Sequence, residues 1–298
     1  MKQIVVISGK GGTGKTVITG AFAALAQNKV MADCDVDAAD LHLLLKPDIK
    51  EKHEFRSGVT AFIKNELCTR CGKCKEVCRF EAVKIIGSES VGDKRGGDFV
   101  IDPISCEGCA FCSFACPSKA IEMRENTSGD WFISDTRFGP MVHAKLGIAE
   151  ENSGKLVSLV RQKAKEIAES RGFDWIIIDG SPGIGCPVIA SITGVDYAVV
   201  VTEPTLSGLH DATRVIKVAG HFGVPVKLIV NKYDLNVEMT EKIEEYCRHN
   251  NVGILGKLGF DKSVVSAMVD GKTIVEASSD EAKGKITEIW NKLVNEIG

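Results

Sequence analysis

Short, uniformly apolar runs recur along the chain at Ile4 to Ile7, Val30 to Ala32, Trp175 to Ile178, Tyr197 to Val201 and Val226 to Val230. Each has the length and composition of a strand buried on both faces. Between them the pattern turns helical: Lys15 to Asn28 is rich in alanine, and Ser153 to Arg171 sets Leu156, Leu159, Val160, Ala164 and Ile167 on one face, with Arg161, Lys165 and Glu169 elsewhere. Strands alternating with helices predict an α/β fold, a mostly parallel sheet flanked by helices. A last helix, Asp280 to Ile297, gathers Ile286, Ile289, Trp290, Leu293 and Val294 on one side. Its polar side mixes both charges, which fits packing on the domain better than lying on a membrane.

The stretch from about Gly58 to Gly139 breaks this alternation, being rich in Cys and Gly with short strand-like pieces such as Asp98 to Ile101. It also repeats itself. LCTRCGKCKEVCRFEAV, starting at Leu67, recurs 38 positions later as SCEGCAFCSFACPSKAI, starting at Ser105. Residues 59–139 therefore read as an inserted domain, and 1–58 with 140–298 as the discontinuous domain that receives it.

With 298 residues, 44% hydrophobic and 26% charged, the chain is composed like an ordinary globular protein. A formal charge of -3 supplies no broad positive field, so neither nucleic acid nor membrane is expected as a partner. The first apolar run is too short for a leader or a membrane span, which predicts a cytoplasmic protein. In that compartment eleven cysteines, eight of them between Cys68 and Cys116, are expected to bind metal or do redox chemistry rather than form disulfides.

Gly9-Lys10-Gly11-Gly12-Thr13-Gly14-Lys15-Thr16 fits G-x-x-x-x-G-K-[ST] between a predicted strand and a predicted helix. In such a loop the backbone N–H groups wrap phosphates, Lys15 neutralises the terminal phosphate oxygens, and Thr16 holds Mg²⁺. An acidic residue at a nearby strand end, such as Asp35, can orient attacking water, although carboxylates there also serve as plain helix caps.

The additional lysine, Lys10, makes KGGTGKT resemble the deviant Walker A ATPases of the MinD/Mrp type, a family that includes ParA and the nitrogenase iron protein. The resemblance implies that Lys10 reaches phosphates bound by a partner subunit, and hence a homodimer, or a heterodimer with a related ATPase subunit. It implies a switch I at Met31 to Asp37 with Asp35 acting on water. It also implies a Walker B strand that brings Asp179 to the Mg²⁺ site, followed by a switch II at Gly180 to Gly185. Asn231 is placed against the adenine, with Phe260 and Asp261 in the loop that closes over the base. Asn231-Lys232-Tyr233-Asp234 has the N-K-x-D pattern that reads guanine as well, so ATP is favoured on the strength of Lys10 and the family. The catalytic candidates are thus Lys10, Lys15, Asp35 and Asp179; the nucleotide-binding ones are Gly11, Gly12, Thr13, Gly14, Lys15, Thr16, Asn231, Phe260 and Asp261.

Cys68, Cys71, Cys74 and Cys78, then Cys106, Cys109, Cys112 and Cys116, each follow the C-x₂-C-x₂-C-x₃-C spacing of [4Fe-4S] ligands. Zinc favours two separated C-x₂-C pairs. The octet resembles that of bacterial two-cluster ferredoxins, an α+β fold. That resemblance assigns Cys68, Cys71, Cys74 and Cys116 to one cluster and Cys106, Cys109, Cys112 and Cys78 to the other. Cys116 is followed by Pro117 but Cys78 by Arg79, a departure expected to loosen one turn.

As a whole the chain is similar to MinD-type ATPases carrying an inserted ferredoxin domain, which implies ATP, Mg²⁺ and two [4Fe-4S] clusters. The leading expectation is ATP hydrolysis in a dimer, coupling nucleotide state to electron transfer through the clusters to a redox partner. The insert leaves the chain soon after Asp35 and rejoins before Asp179, beside both switches. The alternative is an iron-sulfur carrier or assembly ATPase of the Mrp type, serving an apo-protein partner. Of the cysteines outside the octet, Cys34, Cys186 and Cys247, a carrier would use Cys186, which otherwise reads as a small buried core residue. A positioning ATPase with structural clusters is disfavoured by the weak overall charge.

Overall fold

The computed structural model describes residues 1–87, 97–147, 153–277 and 279–297. Its strands are β1 (Lys2–Ile7), β2 (Lys29–Asp33), β3 (Asp48–Ile63), β4 (Val83–Ile86), β5 (Asp98–Ile101), β6 (Ile121–Thr136), β7 (Gly139–Leu146), β8 (Trp175–Asp179), β9 (Tyr197–Thr202), β10 (Val226–Asn231) and β11 (Gly253–Leu258). They form one sheet in the order β11-β10-β9-β1-β8-β2-β7-β6-β3 and a two-stranded sheet of β4 and β5. The chain divides into two compact units. Met1–His53, Asp130–Leu146 and Ser153–Gly298 make the larger, and Glu54–Gly129 with Gly147–Asn152 the smaller.

In the larger unit β1 is central, parallel to β8 on one side and to β9 on the other. β2 runs parallel to β8, β7 to β2, β10 to β9 and β11 to β10. Strands of this kind are apolar on both faces and need helices over each. The Lys15–Leu25 helix buries Ile18, Ala21 and Phe22, and the Asp280–Ile297 helix buries Ile286, Ile289, Trp290, Leu293 and Ile297. The Phe22 and Trp290 rings lie 5.0 Å apart. Each large side chain so buried contributes about 1.5–3 kcal/mol of transfer free energy. The Ser153–Arg171 helix turns Leu156, Val157, Val160, Ala164 and Ala168 inward, leaving Leu159 and Ile167 only partly covered, so its buried stripe is rotated slightly from the expected one. The first helix ends at Leu25 rather than Asn28. Asn28 takes a left-handed backbone (φ 51), and its amide donates to Asp174 at 2.8 Å, turning the chain directly into β2.

The sequence boundaries at 58/59 and 139/140 fall within β3 and at the start of β7, whereas the units part at 53/54 and 129/130. β3 and β6 are long and mostly polar, and their alternation carries no mark of where one unit gives way to the other.

The smaller unit is built from the repeated sequence twice over. Its helices Lys73–Val77 and Phe111–Ala115 stand 38 residues apart. The left-handed positions also correspond: Arg70 (φ 58) with Gly108 (φ 62), Gly72 (φ 76) with Ala110 (φ 63), and Glu81 (φ 52) with Lys119 (φ 52). The halves then exchange partners. Lys64 N–H donates to Ala120 C=O and, reciprocally, Asp102 N–H donates to Ala82 C=O, both at 2.7 Å. Likewise β4, which follows the first copy, pairs antiparallel with β5, which precedes the second. Ala61, Ile63, Cys74, Val83, Phe99 and Ile121 form its core. The loosened turn expected after Cys78 is not seen. Cys78 (φ -79, ψ 106) and Cys116 (φ -74, ψ 113) have nearly the same backbone, because an extended residue precedes Arg79 as readily as Pro117. Among the described residues no helix is long and apolar enough to cross a membrane.

Candidate functional site

Register decides what meets at the carboxyl ends of the central strands. Val6 lies beside Asp179 across β1 and β8, and Asp179 lies beside Asp33 across β8 and β2. The loop after β1 therefore opens beside two acidic residues, at the strand ends where open α/β sheets bind ligands. Two of its glycines are required by space. A Cβ at Gly9 would collide with the Asp211 backbone, and Gly14, left-handed at φ 94, sits under the Asn231 amide.

Lys15 is the centre of the arrangement. Its ammonium lies 3.0 Å from Asp179 Oδ1 and 3.2 Å from Asp35 Oδ2, all three side chains being buried. Burial pulls the Lys15 pKa down, but Asp179, Asp35 and Asp33 outweigh it and hold the group charged, with its pKa above the ordinary lysine value. Asp179 also accepts from Thr16 Oγ1 at 2.9 Å and Thr19 Oγ1 at 2.8 Å. The Thr16 hydroxyl and the Asp179 carboxylate are hard oxygen donors of the kind Mg²⁺ takes, and when bound that ion would neutralise phosphate charge.

Asp33 was not among the expected site residues. It is fully buried; Oδ1 accepts the Asp35 N–H at 3.1 Å, while Oδ2 has no hydrogen-bond partner. Burial and the neighbouring Asp179 carboxylate raise its pKa well above the ordinary value, against the pull of Lys15. A carboxyl whose folded pKa exceeds its unfolded one adds stability at acid pH and loses it as pH climbs above the normal carboxylate range. Asp33→Asn is therefore expected to melt higher than the wild type at neutral pH, with the two converging near about pH 4. A constant difference between the melting curves across that range would show that Asp33 does not titrate this way.

A cleft of about 600 Å³ is lined by Gly11, Gly12, Gly14, Lys15, Thr16, Asp35, Asn231, Phe260 and Asp261, so most of the expected nucleotide residues do meet. Its size is that of a small-molecule site. Asn231 donates to Thr13 C=O at 2.8 Å, and Lys232 Nζ to Gly12 C=O at 3.2 Å, tying the end of β10 to the loop. Asp234, the last residue of N-K-x-D, also lines the cleft and accepts the Phe260 N–H at 2.7 Å. Asp261 caps the Lys262–Val269 helix through the Ser263 N–H.

Three expected residues stand outside the lining. Thr13 is buried, with its hydroxyl unpartnered; Asp179 lies behind Thr16 and Lys15; Lys10 turns to Glu203 at 2.8 Å and Ser207 at 2.9 Å within its own chain. Glu203, which also pairs with Lys232 at 3.3 Å, belongs to no sequence motif. Its one signal is position, immediately beyond the apolar run of β9. The Gly180–Gly185 turn is held from both sides: Ser181 Oγ donates to Cys34 C=O at 2.6 Å, and the Gly183 N–H to Ser8 C=O at 2.9 Å.

The eight clustered cysteines line two small cavities in the smaller unit. Cys68, Cys71, Cys74 and Cys116 line one; Cys78, Cys106, Cys109 and Cys112 line the other. Cys116 Sγ accepts the Ala120 N–H at 3.3 Å. Among the described residues no group of three or more His, Cys, Asp or Glu side chains is arranged as for a single metal ion. Cys34 and Cys247 are buried, but Cys186 is exposed, not the core residue expected. It opens the Cys186–Ile192 helix next to Pro187, at the rim of the turn after Asp179.

A family profile for the CobQ/CobB/MinD/ParA nucleotide binding domain matches residues 4–274. The protein MJ0578 of Methanocaldococcus jannaschii is 37% identical over 238 residues, covering 78% of this chain and 79% of its own. Among solved structures, the Pyrococcus furiosus cell division ATPase MinD superposes with a TM-score of 0.58 at 17% identity, covering 99% of each chain. The Pyrococcus horikoshii septum site-determining protein MinD, solved with Mg-ADP, superposes with a TM-score of 0.59 at 16% identity, covering 100% of this chain and 97% of that one. At such identities these two structures speak for the fold alone. The profile, the 37% identical relative and the phosphate loop in its place carry the assignment: this chain belongs to the CobQ/CobB/MinD/ParA nucleotide-binding family and is a P-loop ATPase.

Proposed function

We propose that this ATPase is an iron-sulfur protein that hydrolyses ATP in a dimer and couples nucleotide state to electron transfer through two [4Fe-4S] clusters. One observation carries the proposal. The two cavities divide the octet so that each takes three cysteines from one copy of the repeat and the fourth from the other. That is the division expected of a two-cluster ferredoxin, and the reciprocal hydrogen bonds between the halves supply its physical cause. Thiolates suit iron-sulfur centres, and because the ligands of a cubane bind separate irons, they need not converge on one point. Bound there, the clusters would supply one-electron chemistry.

Lys10, Lys15, Asp35 and Asp179 are proposed to act on ATP, with Thr16 and Asp179 supporting Mg²⁺. Lys15 meets terminal phosphate oxygens, Asp35 orients water, and Asn231, Phe260 and Asp261 hold the base. Lys10, at the loop's outer side, is the residue through which a second ATPase subunit, the same or related, would be met. The inserted α+β domain is proposed to receive nucleotide-dependent movement because the chain enters it after Asp35 and leaves it before Asp179.

Anaerobic purification is expected to give about eight irons per chain. EPR spectra of the reduced protein are expected to change on adding MgATP. Spectra indifferent to MgATP would remove the coupling, and zinc in place of iron would remove the clusters. The exposure of Cys186 favours one further reading, a carrier that binds a labile cluster between subunits. Release of labelled iron to an apo-acceptor would mark a carrier; iron retained through many turnovers would mark an electron-transfer protein.

A further inference from the structure

The two halves of the cysteine-bearing unit share a backbone but not a surface, and we propose that the first half is a docking face for an acidic electron carrier. The inference rests on the octet holding clusters. Residues 64–81 carry five cations against three anions, whereas the equivalent 102–119 carry one cation against two anions. Across the 38-residue repeat Lys73 answers to Phe111, Lys75 to Ser113, Glu76 to Phe114 and Arg79 to Pro117.

Lys73, Lys75 and Arg79 are all exposed. Arg70 is paired with Asp98, but among the described residues no carboxylate pairs with any of those three. Lys73 lines the cavity of Cys68, Cys71, Cys74 and Cys116, of which Cys71 is exposed. The matching cavity is bordered instead by Phe80, Glu107 and Phe111. Uncompensated positive charge therefore borders one of two otherwise equivalent redox positions. The excess also opposes the net charge of the chain, -3. An anionic partner is drawn to this half and repelled by the chain as a whole, and this fixes the face it meets. Complementary charge acts chiefly on encounter and orientation, which is what a transient electron-transfer contact needs.

Oxidised flavodoxin, a small and strongly acidic carrier, serves as the probe, titrated anaerobically into iron-replete protein. Saturable binding is expected. It should weaken about tenfold in Lys75→Glu/Arg79→Glu and by a similar factor between about 50 and about 500 mM salt. Basic cytochrome c is expected not to bind, and Phe114→Ser, in the other half, to leave the flavodoxin affinity within about twofold. The docking face is overturned if iron-replete protein fails to bind flavodoxin, if cytochrome c binds as well, or if Phe114→Ser costs as much as the charge reversal. Protein that holds no iron in any preparation overturns the cluster reading beneath it, a separate result.

Discussion

Asp179→Ala is expected to lower the unfolding free energy by about 3–5 kcal/mol and to leave no ATP hydrolysis above background. The stability loss follows from what Asp179 holds. Its two carboxylate oxygens receive Lys15, Thr16 and Thr19 at 2.8–3.0 Å, and the residue is wholly buried. Alanine strips a buried ammonium of its nearer anion and leaves the Thr16 hydroxyl without its acceptor, whereas Thr19 keeps the Lys15 C=O at 3.0 Å; a buried charge costs more unpaired than it returns when paired. Asp179→Asn separates fold from chemistry. It keeps an oxygen for one threonine at nearly unchanged volume, so it is expected to recover much of the lost stability, while lacking the charge proposed to support Mg²⁺. Denaturation midpoints and ATPase rates of both variants decide the matter. A wild-type midpoint for the alanine variant would mean that Lys15 is held adequately by Asp35, and an active asparagine variant would remove the carboxylate from catalysis.

The larger unit was legible in the sequence because its strands are buried on both faces, so each run from Ile4 to Val230 stands out without alternation. The phosphate loop was legible because its chemistry demands glycine and lysine at fixed spacing. What surrounds it was not. Asp33, Glu203 and Thr19 reach the site through β-sheet register and helix phase, and no local residue pattern announces a neighbour 146 or more positions away, as Asp33 and Asp179 are across β2 and β8. Cys186 was misjudged for a related reason. Small and sulfur-bearing, it has the composition of a core residue, but it follows a glycine-rich turn and starts a short helix, and a loop's end at the surface carries exposed residues whatever their type.

In the smaller unit the repeat was plain, but the long strands β3 and β6 hid its edges. Their polar faces resemble those of surface strands anywhere, and only pairing shows which residues join which unit. The contrast between the halves was equally present in the sequence. It acquired meaning once the left-handed positions 38 residues apart showed that Lys73 and Phe111, or Glu76 and Phe114, occupy equivalent places on one repeated backbone.

That equivalence makes the crossing of the fourth cysteine testable by counting. If each cage drew its ligands from one copy of the repeat, Cys68→Ala/Cys78→Ala would damage a single cage and leave about four irons per chain. With the cavities as they stand, Cys68 and Cys78 line different ones, so that double variant is expected to lose ligands from both and retain close to no intact cluster. Cys68→Ala/Cys116→Ala, by contrast, removes two ligands from the same cavity and is expected to keep about four irons, with the other cavity's signal preserved in EPR. The two proteins differ only in which cysteine at the end of a C-x₂-C-x₂-C-x₃-C run is changed, so general destabilisation by lost thiolates weighs on both alike. More iron in the first variant than in the second would show that the halves do not exchange ligands, because Cys68 and Cys116 would then belong to different cages, and the structural support for two ferredoxin-like clusters would fall with it.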